Sequence, residues 1–289
     1  MPQHVTVGVD GSAESAAAAA WAAREALLRK AVLRLLLVTD APEPAPGATG
    51  VPDAVDEVLA GTAKALHGRH PGLEIRTERL SGRPPPVLAR EAANSEITVL
   101  GSRGLGGVRG FLLGSVAMAT IVGTDRPVVL VRREHEPRPE RGGEAFGAAA
   151  GSVVVGVDVR EACEPVLDFA FGEAALRGDR LRAVHAWSLP PFGRDALALD
   201  MALRAMRPDV VGQLRNVLAP WRQKYPSVDV VDLTPVGGSA EQLLRAAEGA
   251  ALVVVGRRIR TSHVGARLGP VAHAVIHHCE APVAVVAHD

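Results

Sequence analysis

The residues of this chain best suited to chemistry lie in a glycine-bracketed stretch: Gly101-Ser102-Arg103-Gly104, nine residues, then Gly114-Ser115-Val116. Glycine at the carboxyl end of a strand lets the backbone approach a ligand closely and take positive φ. Amides at the start of the following helix point outward with the positive end of its dipole. Such a turn binds phosphate without a lysine, and Ser115 adds a hydroxyl donor. The chemistry suits the composition, because only Lys30, Lys64 and Lys224 are lysines, so an anion must be held mainly by backbone or arginine. Two better-known phosphate motifs are excluded. No Gly-Lys-Ser/Thr follows, which rules out a Walker loop. Gly106, Gly107 and Gly110 do not make a dinucleotide fingerprint, which belongs after the first strand with an acidic residue about 20 positions on.

The elements that must position this loop are short apolar runs alternating with helical periodicity. His4–Asp10 reads as a buried strand ending in a carboxylate, and Ser12 caps a helix through Lys30 with Glu14 in its first turn. Leu33–Thr39 is a strand. Ala41–Pro52, with four prolines and two glycines, is a crossover loop before a helix near Asp53–Arg69. A strand at Leu73–Leu80, a helix opening with the prolines after Arg83, a strand at Ile97, the glycine loop, a helix from Gly114 and a closing strand at Val128–Val131 complete the unit. This alternation predicts a parallel sheet with helices on both faces, and a ligand site beyond the carboxyl ends of its central strands.

The unit occurs twice. His4-Val-Thr-Val-Gly-Val-Asp10 returns as Ser152-Val-Val-Val-Gly-Val-Asp158, Ile97–Gly101 as Leu252–Gly256, and Arg126–Val131 as Ala281–Val286. Residues 1–133 and 152–289 are therefore read as two tandem domains. The segment 134–151, charged and rich in Pro, Gly and Ala, is read as their linker. In the second copy a long helical pattern through Leu199, Leu203, Met206, Val210, Leu214, Val217 and Trp221 replaces the proline loop, with Pro208 as a candidate bend.

With Gly101, Gly104, Gly114 and Ser115 at this spacing, Asp10 at a strand end and the whole pattern duplicated, the sequence resembles the universal stress protein family. The ATP-binding members of that family carry Gly, two residues, Gly, nine residues, Gly, then Ser or Thr. The resemblance implies two doubly wound α/β domains, each a five-stranded parallel sheet of order 3-2-1-4-5 flanked by helices. It also implies that Asp10 and the backbone near Val38 hold the nucleoside, and that Gly101, Gly104, Gly114, Ser115 and Val116 hold the ribose and phosphates of ATP, with Mg²⁺ neutralising the triphosphate. A related enzyme class, the amidotransferase-type ATP pyrophosphatases, is disfavoured because their Ser-Gly-Gly-x-Asp-Ser loop is absent after the first strand.

The second copy departs from the motif. It reads Gly256-Arg-Arg-Ile259, nine residues, then Gly269-Pro270, so a stiff β-branched residue and a proline replace the second glycine and the serine. Val159 and Arg160 stand where Gly11 and Ser12 follow Asp10. The C-terminal half is expected to bind ATP weakly or not at all, with Asp158, Ala186, Gly256 and Gly269 as the remnants of a site. Arg257, Arg258, Arg260 and Arg267 in that loop suit either an anion or a solvated surface. His273, His277, His278 and Cys279 fit helix-end or core positions better than a metal site, having no third ligand placed nearby. Cys163 sits near a helix start without an evident histidine partner, which argues against a catalytic thiol.

Composition limits the remaining classes. Thirty-two basic residues balance 32 acidic ones, and only 9 of 289 residues are aromatic, which disfavours nucleic-acid binding. The longest apolar run, Ala16–Ala23, is far short of a membrane span, and the amino end shows no secretory pattern, so a cytoplasmic location is expected. With no general base beside the loop, fast ATP hydrolysis is not expected, although slow turnover remains compatible. The function read from the sequence is a stress-response regulator whose ATP state biases a protein partner of unknown identity, and a homodimer is expected. The alternative is a nucleotide-independent scaffold that dimerises through its closing strands, Val128–Val131 and Val283–Val286, which are apolar edges able to pair with each other or with another chain.

Overall fold

A computed structural model of the protein describes residues 4–40, 54–102, 114–133, 151–161, 163–188, 196–259 and 268–289. Its elements fall into two compact units, residues 1–141 with 276–287, and residues 142–275 with 288–289. The crossover at Ala41–Pro52, Gly104 and most of the 134–151 linker lie outside the described residues.

The first unit starts with β1 (His4–Gly8), α1 (Ala13–Arg29) and β2 (Val32–Thr39). Ser12 caps α1 as expected, its hydroxyl accepting from the Ser15 amide at 3.2 Å. The helix stops at Lys30, which takes a left-handed φ of 53°. Next come α2 (Ala54–Arg69), β3 (Ile75–Ser81), α3 (Pro84–Ala93), β4 (Ile97–Ser102), α4 (Ser115–Gly123) and β5 (Val128–Arg132). The third strand begins two residues later than the apolar pattern at Leu73 predicts, because Leu73 closes the preceding turn, donating its amide to the His70 carbonyl. The strand order is β3-β2-β1-β4-β5, and these five strands are parallel. Helices α1 and α2 pack together on the sheet, and α3 packs with α4. The alanine run of α1 explains its close seating, since Ala18, Ala19, Ala22, Ala23 and Ala26 are all buried and hold the helix near the backbone of the strands.

The second unit repeats the plan with β6 (Ser152–Gly156), α5 (Glu164–Arg177), β7 (Arg180–Val184), α6 (Ala196–Lys224), β8 (Val230–Leu233), α7 (Ser239–Ala246), β9 (Leu252–Arg258) and α8 (Pro270–His278). Its parallel order runs β8-β7-β6-β9. The register is duplicated too: His4 faces Val32 in the first copy, and their counterparts Ser152 and Arg180 face each other in the second. Helix α6 runs unbroken for 29 residues with Pro208 and Pro220 inside it.

Strand β10 (Val283–His288), which closes the second copy, lies antiparallel to β5 within the first unit. Val129 faces Ala284, its own counterpart in the repeat, so the pairing is as self-complementary as a two-fold dimer contact. The two apolar edges thus pair with each other. Arg132, only 7% exposed, follows the paired stretch and donates Nη2 to the Ile276 and His277 carbonyls at 3.1 and 2.8 Å, near the end of α8. Those carbonyls belong to the last turn, which has no intrahelical donors left. Replacing Arg132 by Met keeps the bulk but removes the donors, and is expected to cost about 2 kcal/mol of stability. A chemical denaturation midpoint equal to that of the wild type would show that the cap contributes nothing.

Candidate functional site

Strand β1 lies between β2 and β4, so residues following these three strands gather at one end of the sheet. Asp10 follows β1, Val38 is near the end of β2, and Gly101 is near the end of β4. The strand order reverses here, since β2 and β4 flank β1 on opposite sides, and this is where open α/β sheets bind ligands. Asp10 is exposed, and its carboxylate accepts from the Ser12 amide at 3.0 Å and hydroxyl at 2.5 Å, closing a turn at Gly11 with φ +81°. Glycine fits there because L side chains avoid that conformation.

Gly101 has a packing reason for its identity. A Cβ on it would lie 2.6 Å from the Glu14 carbonyl carbon and 2.8 Å from the Ser15 amide nitrogen, both backbone atoms at the start of α1. The missing side chain therefore brings the α1 terminus, and with it the Asp10 turn, against the end of β4.

Helix α4 begins after Gly114, whose extended φ and ψ of −64° and 153° are those of a cap residue, although among the described residues no side chain caps the helix. The amides of Ser115, Val116 and Ala117 have no acceptor among the described residues, and Gly114 and Ser115 are exposed. Free amides, a hydroxyl and the positive end of the helix dipole form a donor set that fits an oxyanion. Gly104, the remaining expected ligand residue, lies outside the described residues.

The second copy keeps the backbone plan and changes the chemistry. Helix α8 starts after Gly269, as α4 starts after Gly114, but its first residue is Pro270, without hydroxyl or amide hydrogen. Asp158 still accepts an amide hydrogen, from Arg160 at 3.0 Å. Val159, in the place of Gly11, does not take positive φ, so the turn is built differently. Ala186 follows β7 as Val38 ends β2, and Gly256 lies in β9.

Where the first copy seats α1 against Gly101, the second seats the His288 ring: its Nε2 would lie 2.9 Å from a Cβ on Gly256. The same imidazole meets Cys163, with Nδ1 and Sγ 3.2 Å apart, and its carbonyl accepts from the Ile259 amide. Cys163 thus has the histidine neighbour that its sequence context did not reveal, contributed from 125 residues away. Glu161 pairs with Arg258 beside it. Burial pushes the Cys163 thiol up, and the charge of Asp158 adds to the effect. This is opposite to the depression that activates a thiol nucleophile. Cys279, deeper, is pushed up to about 11, chiefly by burial. Among the described residues no cluster of three or more His, Cys, Asp or Glu side chains has metal-site geometry, and no helix is long and apolar enough to cross a membrane.

The Universal stress protein family model matches residues 1–132 and 150–287. The chain is 33% identical over 301 residues to the universal stress protein Rv2005c of Mycobacterium tuberculosis H37Rv, covering 98% of this chain and 97% of that one. It is 32% identical to a universal stress protein of Mycolicibacterium smegmatis, at 98% and 96% coverage. The crystal structure of a universal stress protein from Archaeoglobus fulgidus superposes with a TM-score of 0.63 at 18% identity, over 99% of this chain and 98% of that one.

The thiol chemistry of the second copy is directly measurable. Asp158→Asn removes the negative charge that raises the Cys163 pKa, so more thiolate is present at pH 8, and alkylation of Cys163 is expected to speed up roughly threefold. An unchanged or slower rate, followed by mass spectrometry of the labelled peptide, would contradict the assigned cause.

Proposed function

The chain belongs to the universal stress protein family, and from that premise we propose that it is a nucleotide-binding regulator in which the N-terminal copy holds ATP. The carrying observation is the contrast between two equivalent helix starts. Helix α4 opens on uncapped amides and the Ser115 hydroxyl, whereas α8 opens on Pro270. In this reading Ser115, Val116, Gly114 and Gly104 hold the phosphates, and Asp10 with the backbone near Val38 holds the nucleoside. Gly101 contributes by letting α1 bring the Asp10 turn alongside. Mg²⁺ travels with the triphosphate and offsets its charge. The second copy, with Asp158, Ala186, Gly256 and Gly269, retains the outline of a site and lacks the hydroxyl and first amide hydrogen that Ser115 supplies in the first.

The protein works in the cytoplasm as two domains, 1–133 and 152–289, joined by the 134–151 linker, and its nucleotide state biases a partner protein in a stress response. Self-association into a homodimer requires a surface other than the closing strands, because β5 and β10 already pair with each other. A nucleotide-independent scaffold would face the same requirement. Calorimetric titration with Mg·ATP is expected to give one site per chain, abolished in the double variant Gly104→Ile, Ser115→Pro. Wild-type protein that binds no ATP, or a double variant that binds it undiminished, overturns the reading.

A further inference from the structure

At the opposite, amino-terminal end of the second unit's sheet lies a cavity of about 550 Å³, within the range of small-molecule sites. Ser152, Arg180, Arg182, Val231 and Leu233 line it from three neighbouring strands, β6, β7 and β8. Its significance comes from the duplication. In the first copy the equivalent of Arg182 is Arg34, held by two carboxylates: Glu78 at 2.6 Å and Glu91 at 2.9 Å. Burial opposes the charge of Arg34, and the hydrogen bonds and charges of Glu78 and Glu91 outweigh it, so the guanidinium is held above its ordinary pKa.

The strand registers and helix starts place Leu233 at the position of Glu78 and Ala246 at that of Glu91. The second copy has thus kept the arginine and lost both anions. Arg182 donates one hydrogen bond, Nη1 to the Ala246 carbonyl at 2.9 Å, and pairs with no carboxylate among the described residues. A guanidinium has five N–H donors, so most of its capacity is unused. Burial and the nearby charge of Arg180 both lower its pKa, the reverse of Arg34. Of the carboxylates at the cavity, Asp229 is bound to Arg180 at 2.6 Å, and Asp179 does not pair with Arg182.

We propose that this cavity is a binding site for a small organic acid, whose carboxylate takes the place of the lost Glu78 against Arg182 while its apolar body lies on Val231 and Leu233. The planar guanidinium fork matches a carboxylate in two hydrogen bonds, and the aliphatic floor selects for a ligand with hydrocarbon attached. Within the second unit the site is at the end of the sheet opposite Asp158 and Gly256, and it does not rest on the ATP reading.

The test titrates the full-length protein with hexanoate, following backbone and arginine side-chain signals by NMR. Inorganic phosphate and the neutral hexanamide serve as comparison probes. Hexanoate is expected to shift β7 and β8 signals saturably with a Kd of about 1 mM. Arg182→Gln, which removes the cation, and Leu233→Glu, which restores the first copy's internal partner, should each weaken binding at least tenfold by roughly the loss of one charged pair. Circular dichroism checks that both variants are folded, and Leu233→Glu should also raise the unfolding temperature by satisfying Arg182 internally. The proposal is overturned by the absence of saturable shifts with hexanoate, by equal binding of hexanamide or phosphate at the same residues, or by undiminished binding in folded Arg182→Gln.

Discussion

Helix α1 can lie against the end of β4 only because residue 101 has no Cβ, with backbone atoms of Glu14 and Ser15 inside 3 Å of where that carbon would be. Much of the candidate site follows from this contact. It fixes where the β1–α1 turn ends, and so where the Asp10 carboxylate stands relative to the end of β4. Backbone against backbone leaves no flexible side chain to give way, so a substitution at residue 101 would move the helix itself. In the second copy the equivalent glycine, Gly256, faces the His288 ring and the Val166 side chain. The glycine persists there while the contact it serves has changed.

Duplication makes such differences interpretable, because each position in one copy has a control in the other. Both copies place a helix start after a glycine at the carboxyl end of the sheet, but α4 begins with Ser115, which brings an amide hydrogen and a hydroxyl, whereas α8 begins with Pro270, which has neither. At the other end of the sheet the asymmetry runs the opposite way. The first copy neutralises Arg34 internally with Glu78 and Glu91, whereas in the second Arg182 pairs with no carboxylate among the described residues. Each copy has satisfied at one end what the other leaves open.

The closing strands carry the third consequence of duplication. An apolar edge strand exposes unpaired backbone groups and invites association. Here β5 and β10 meet in antiparallel register about the equivalent pair Val129 and Ala284, both fully buried. The buried Arg132 then ties the end of β5 to the last turn of α8. A tandem chain thereby makes internally the self-complementary contact that a single-copy protein would need a second molecule to make.

The strand order was legible only through the family resemblance; the amino-acid sequence by itself determined the fold class, the duplication and the loss of motif residues at Ile259 and Pro270. These rest on local signals: apolar periodicity, a serine cap at Ser12, prolines at the start of α3, and glycine spacing repeated at a fixed interval. Reading the two copies against each other also holds the signal for Arg182, as an arginine retained while Glu78 and Glu91 become Leu233 and Ala246. That signal becomes readable only once strand register shows that these residues meet. Tertiary structure alone decided that Gly101 serves the seating of α1, that Cys163 faces His288 across 125 residues of chain, and that the two closing strands pair with each other. Each is a contact between residues far apart in sequence, where spacing carries no information. Whether such residues touch depends on the path of the strands and helices between them, which only the packed chain fixes.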